Sequence, residues 1–114
     1  MSDPYVLTKT AIATLGLPYA TDANRAVLGS PLPDTFIVYR RVSGYPQQSA
    51  YNAETERFCR MQLSIYSRDG SMAETDAAMK AQGFRYSRET ELAYDDDTGH
   101  YGTARGYTIL LNQP

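Results

Sequence analysis

The stretch from Arg57 to Arg68 alternates in character with a period of two, and it constrains the fold more than any other part of the chain. Cys59, Met61, Leu63 and Ile65 fall on one side, and Phe58, Arg60, Gln62, Ser64 and Tyr66 fall on the other. Successive side chains of a strand point to opposite faces. The pattern therefore predicts a half-buried strand, central in a sheet, with one face on a core. The remaining segments are read as partners that pair with this strand or pack upon it.

Asp3 before Pro4 is a helix start: Asp3 is placed to cap, and Pro4 takes the first helical position, where a missing N–H costs nothing. Leu7, Ala11, Ile12 and Leu15 share one face, and Gly16 and Pro18 stop the helix, which is expected over residues 4–15. Residues 17–34 read as a long loop with a short strand over 17–21. Residues 35–42 form a second strand, with Phe36, Val38 and Val42 on one face and Ile37, Tyr39 and Arg41 on the other. Residues 43–55 are loop-like, and become a long hairpin arm if the two strands are antiparallel neighbours. Ser71 and Glu74 have the spacing of a capping box, which predicts a helix over 72–82 closed by Gly83. Residues 84–94 and 101–111 are two strands joined by the turn formers of 95–100.

This order predicts an α+β domain spanning residues 1–114: a mainly antiparallel β-sheet of about four strands, two helices on one face, and long inter-strand loops. A chain of 114 residues buries roughly 65% of its unfolded surface and needs no staples. Two helices cannot cover both faces of the sheet. The apolar residues of the second face then meet solvent or another chain. The expected subunit interface is Ile37, Tyr39, Arg41, Tyr45, Phe58, Arg60, Tyr66 and Leu110. On this reading Tyr39→Asp or Phe58→Asp weakens assembly and spares the fold, whereas Leu63→Asp unfolds the domain.

Other classes find little support in the sequence. One cysteine excludes an internal disulfide framework, and no apolar run approaches the roughly 18 residues that span a bilayer. The segment Met1-Ser2-Asp3-Pro4 lacks the basic-then-apolar order of a secretory signal, so synthesis in the cytoplasm is expected. A net charge of −2, with both signs spread along the chain, argues against a nucleic-acid binder. Nearly all basic residues are Arg, and there are ten Tyr and no Trp, a composition that protein–protein interfaces favour. The run Asp95, Asp96, Asp97 fails the EF-hand pattern, since Gly99 and His100 fall at loop positions five and six, and it reads as a solvated turn. Cys59 reads as a core cysteine and His100 as a turn histidine, so no catalytic set, metal site or cofactor site is expected. Arg40, Arg41, Arg57 and Arg60 either pair with Glu54, Glu56 or Glu89 across strands or present a positive patch to a neighbouring subunit.

The order of features resembles the tail terminator, or tail-completion, proteins of long-tailed bacteriophages over nearly the whole chain. The resemblance rests on the N-terminal helix ending in Ala13-Thr14-Leu15-Gly16, the segment Pro33-Asp34-Thr35-Phe36-Ile37-Val38-Tyr39, and the arm that follows. It continues through the strand from Arg60 to Tyr66, the helix ending at Gly83-Phe84, and the closing hairpin from Tyr94 to Tyr101. It implies a structural virion protein that forms a hexameric ring on the head-proximal end of the tail tube, stops tube polymerisation and presents the surface for head joining. The implied partners are further copies of the chain, the tail-tube protein and a neck connector, with DNA passing the lumen unread. Residues 17–34 and 43–55 would contact them. A head-completion or connector protein of the neck is the alternative, and a small ligand-binding module or metal-dependent enzyme a distant one.

Overall fold

A computed structural model describes the backbone of residues 3–47 and 56–112 and the side chains of residues 3–42 and 59–110. The first helix, α1 (Pro4–Ala13), begins as its sequence requires: Asp3 is the N-cap, and its Oδ1 accepts the N–H of Tyr5. A short strand, β1 (Tyr19–Thr21), follows. The chain then makes two short 3-10 turns over Asp22–Leu28, kinked at Asn24. Strand β2 (Thr35–Gln47) leads through the arm to β3 (Glu56–Ser67). Helix α2 (Asp76–Ala81), β4 (Arg85–Asp95) and β5 (His100–Asn112) complete the domain.

The fold is α+β, and its sheet has five strands in the order β1-β2-β3-β5-β4. β1 runs parallel to β2, whereas every other pair is antiparallel, so the sheet is mixed. The fifth strand is β1, within residues 17–21 where the sequence predicts a short strand. β3 holds the centre. Ile65, Leu63, Met61 and Cys59 face the helices and are almost completely buried, together with Ala11 and Ile12 of α1, Met79 of α2, and Phe84, Tyr107 and Ile109. This is the helix side of the sheet, and the other is the open side.

The expected sidedness of β2 is overturned by its register. Ile37 lies opposite Ile65 and Tyr39 opposite Leu63, so both join the helix-side core, 0% and 4% exposed. Arg41 lies opposite Met61 and shares that side, and its backbone N–H donates to the Tyr5 hydroxyl. Residues 36–39 are apolar without interruption, so alternation gives β2 no phase of its own, and pairing with β3 decides it. Phe36 and Val38 consequently lie on the open side, yet they too are buried. Phe36 stacks on Tyr66 at 4.9 Å and meets His100 edge-on at 5.0 Å. The 3-10 segment packs against β1 and β2 and lays Arg25 over the Tyr66 ring, so part of the open side is covered by loop instead of helix.

The second helix is shorter than its capping signal predicts. Ser71 directs both its N–H and its hydroxyl to Asp69 Oδ1, and Glu74 Oε1 accepts the N–H of Asp76 while reaching Arg105. With both members of the box engaged elsewhere, the first helical turn forms at Thr75, whose carbonyl accepts the Met79 N–H. Gly83, at φ 95°, then turns the chain into β4 through a conformation that glycine adopts without strain.

The buried position of Tyr39 reverses the expectation for its substitution. Tyr39→Asp places a carboxylate against Tyr5, Tyr19 and Leu63, and urea titration followed by circular dichroism is expected to show a loss of about 3 kcal/mol or more, comparable with Leu63→Asp.

Candidate functional site

Each strand of the open side contributes alternate residues. From β2 come Phe36, Val38 and Arg40; from β3, Arg60, Gln62, Ser64 and Tyr66; from β5, Gly102, Ala104, Gly106, Thr108 and Leu110. β4 adds Arg85, Arg88, Thr90 and Leu92. Of the eight residues expected at a subunit interface, Arg60, Tyr66 and Leu110 lie on this side, whereas Ile37, Tyr39 and Arg41 lie on the other. The register aligns Tyr45, Phe58 and Leu110 in one cross-strand row, and the side chains of the first two are outside the described set. Of the arm, residues 48–55 are likewise outside it.

Small residues on β5 make the open side concave. A methyl group at Gly102 would stand 2.9 Å from the Tyr66 ring and 3.1 Å from Leu92, and one at Gly106 would stand 3.0 Å from the Arg88 stem. Neighbouring side chains therefore lean over the bare β5 backbone. The result is a depression of about 170 Å³ with Ala104 and Gly106 as floor and Arg60, Gln62, Arg88 and Leu92 as walls.

The charge of this side is one-sided. Arg40, Arg60, Arg85 and Arg88 project from it, and the one carboxylate that β2–β5 contribute to it among the described side chains is Asp95, opposite His100 at the hairpin end, where it caps the turn. None of the four arginines forms an ion pair with a described residue, and the Nε of Arg60 is buried without a hydrogen-bond partner there. Glu89, one of the expected partners of the Arg40 to Arg60 patch, instead sits on the helix side and binds Arg105. Glu54 and Glu56 fall outside the described side chains.

A second polar cluster, on the helix side, was not singled out by sequence. Arg105, 9% exposed, pairs with Glu89 at 2.9 Å, Asp76 at 3.0 Å and Glu74 at 3.3 Å. The Tyr107 hydroxyl donates to Asp76 and lies 2.6 Å from the Thr75 hydroxyl, which is left to donate to it. Burial tends to lower the Arg105 pKa, but the bonds to Glu89 and Tyr107 and the charge of Asp76 outweigh it and hold the guanidinium ionised. Burial first, and then the bond to Asp76, push the Tyr107 phenol from 10.0 up to about 12. A neutral phenol whose proton is held this firmly neither attacks nor accepts a proton near neutral pH. The cluster clamps the start of α2 to β5.

The other residues considered for chemistry are separated. Cys59 opposes Ile109, nine residues along β5 from His100, which puts the two about 30 Å apart. His100 is buried: its Nε2–H donates to the Pro33 carbonyl at 2.8 Å, and its Nδ1 lies 2.8 Å from the Thr98 hydroxyl. The expected turn histidine is thus the first residue of β5, and it ties the closing hairpin to the segment before β2. Asp95 Oδ1 accepts the N–H groups of Asp97 and Thr98, which folds the acidic run into a turn with Asp96 and Asp97 exposed. No helix among the described residues is long and apolar enough to cross a membrane. No protein-family model matches the chain, and a comparison with curated proteins finds no match.

The tyrosine cluster makes stability depend on alkaline pH. A phenol with a raised folded pKa contributes stability that is complete below its unfolded pKa and is lost as pH climbs through the folded value. For Tyr107 that window runs from about 10 to about 12 and is expected to remove about 3 kcal/mol, with Tyr39, also raised by burial, acting in the same direction. Chemical denaturation at successive pH values should show this fall in the wild type and a shallower one in Tyr107→Phe.

Proposed function

We propose that this protein is a tail terminator of a long-tailed bacteriophage, a non-catalytic subunit that assembles as a ring on the head-proximal end of the tail tube. The ring stops tube growth and offers the surface on which the filled head is joined, so the protein resides in the virion. The observation that carries the reading is the open side of the sheet: a concave, arginine-bearing surface with exposed Leu110 and Val42 that neither helix covers. A surface of this mixed character favours a protein partner.

Two further features support it. β2 and β3 stay paired to Gln47 and Glu56, with β5 alongside β3 to Asn112, and the domain measures 52 × 24 × 22 Å. This end of the sheet can reach a neighbouring subunit or the tube end. The succession of helix, loop, strand, arm, strand, helix and hairpin on which the family resemblance rests is followed by the chain, with β1 and the 3-10 turns inside the loop segment. The subunits would meet through the open side and the arm, with tail-tube protein on one face of the ring and a neck connector on the other.

Polymerising tail-tube protein with the purified chain tests this. Tubes are expected to stop elongating and to carry added density at one end in electron micrographs, and light scattering across concentration should show mass rising to a multiple of the subunit. A protein that stays monomeric and leaves tube length unchanged contradicts the proposal. One that binds head connectors and ignores tubes is a neck component.

A further inference from the structure

We infer that the arginine-lined depression on the open side receives the acidic hairpin tip, Asp96 and Asp97, of a second copy of this chain. The inference deepens the ring-forming reading above and rests on it for the closure of the assembly. Its ground is the separation of charge within one subunit. The chain is net negative, yet Arg40, Arg60, Arg85 and Arg88 share a side whose one described carboxylate from β2–β5, Asp95, sits at the hairpin end with its Oδ1 engaged by the turn. The exposed acids Asp96 and Asp97 stand at the end of the sheet, in no ion pair with a described residue.

The depression is built to take an acceptor. Arg60 lines it, part-buried and in no ion pair with a described residue, so its charge is unmatched there. Arg88 stands across the same depression, its stem over the bare backbone of Gly106, and Gln62 supplies an amide beside Arg60. Two guanidinium groups over a floor of Ala104 and Gly106 suit a carboxylate, which each can bind through paired N–H groups.

The tip is built to supply it. Because Asp95 satisfies the turn's own N–H groups, the next two carboxylates are held outward on a fixed loop. A subunit cannot serve itself. Gly106 lies six residues along β5 from His100 at the tip, about 20 Å away across a rigid sheet. The contact is therefore head-to-tail, one surface against a different one, and repetition gives a ring when the rotation between copies closes.

Sedimentation velocity on the full chain, across concentration and salt, tests the pairing with two charge-reversed proteins, Arg60→Glu with Arg88→Glu and Asp96→Arg with Asp97→Arg. Asp95 is kept because it caps the turn, and circular dichroism and melting temperature establish that both variants fold. The wild type is expected to associate more weakly as salt rises, and each variant alone to associate at least roughly tenfold more weakly. An equimolar mixture of the variants should regain assembly, because every junction between them again unites opposite charges. Wild-type association by either variant alone, no recovery on mixing, or a wild type monomeric throughout overturns the inference. So does a groove variant that associates normally but loses affinity for duplex DNA, which would make the depression a phosphate site. Tube capping is scored separately: capping by proteins whose assembly ignores the reversals leaves the terminator reading intact, whereas recovery on mixing without capping leaves the docking pair and removes that reading.

Discussion

The pairing of β3 with β2 on one side and β5 on the other sets every other relation in the domain. Because side chains alternate across the sheet, the register that places Ile37 opposite Ile65 and Met61 opposite Tyr107 commits a whole row of residues to the helices and the intervening row to the far side. A slip of one residue would bury Arg60 and Gln62 and expose Leu63. The helix-side core then fixes where α1 and α2 can lie. The Arg105 and Tyr107 cluster closes the remaining gap by holding the start of α2 through charge and hydroxyl bonds. That cluster is partly buried and well furnished with partners, which is the condition under which a charged group in a core is tolerated.

Much of this was legible where one residue pattern had a single physical meaning. The alternation in β3, the Asp3-Pro4 start of α1 and the turn at Asp95 all appear in the structure close to their expected places, as do the two helices on one side. The failures share a cause: each depended on a partner distant in sequence. β2 is apolar on both sides, so only its register could assign Ile37 and Tyr39 to the core. Ser71 and Glu74 form a capping box in isolation, but Arg105, 31 residues on, draws Glu74 away. The Arg105 to Glu89 pair is not legible in one dimension, because an unbroken hairpin closed by Asp95 and His100 would set Arg105 opposite Thr90. The irregularity between Leu92 and Asp95 moves Glu89 into that position.

The candidate surface was legible in kind and inexact in membership. Two helices do leave one side of the sheet uncovered, as composition and order implied, and Arg60, Tyr66 and Leu110 are on it. What the one-dimensional pattern could not convey is its relief. Gly102, Ala104 and Gly106 are unremarkable in sequence, yet as alternate residues of a central strand they form the floor of a depression. Nor could it convey that the 3-10 segment covers Phe36 and Tyr66 and so divides the uncovered side into a dry half and an arginine-bearing half.

The outer margin of the sheet bears on how such a chain can accumulate without harm. β4 is exposed along almost its whole length, and a long exposed margin normally invites another strand to add to it. Here the ladder is broken between Tyr86 and Arg88 and again between Leu92 and Asp95, and Arg85, Arg88, Glu89 and Glu91 line it. A strand laid alongside would meet misaligned backbone groups and charged flanks, so the sheet does not propagate from one molecule to the next at this margin. At the opposite margin β1 offers only three residues. Growth by backbone pairing, the route to fibres, is thereby discouraged at the β4 margin, whereas β1 covers only Ile37–Tyr39 and leaves the outer edge of β2 beyond Tyr39 without a strand beside it among the described residues, so any backbone pairing between copies is confined to that one edge.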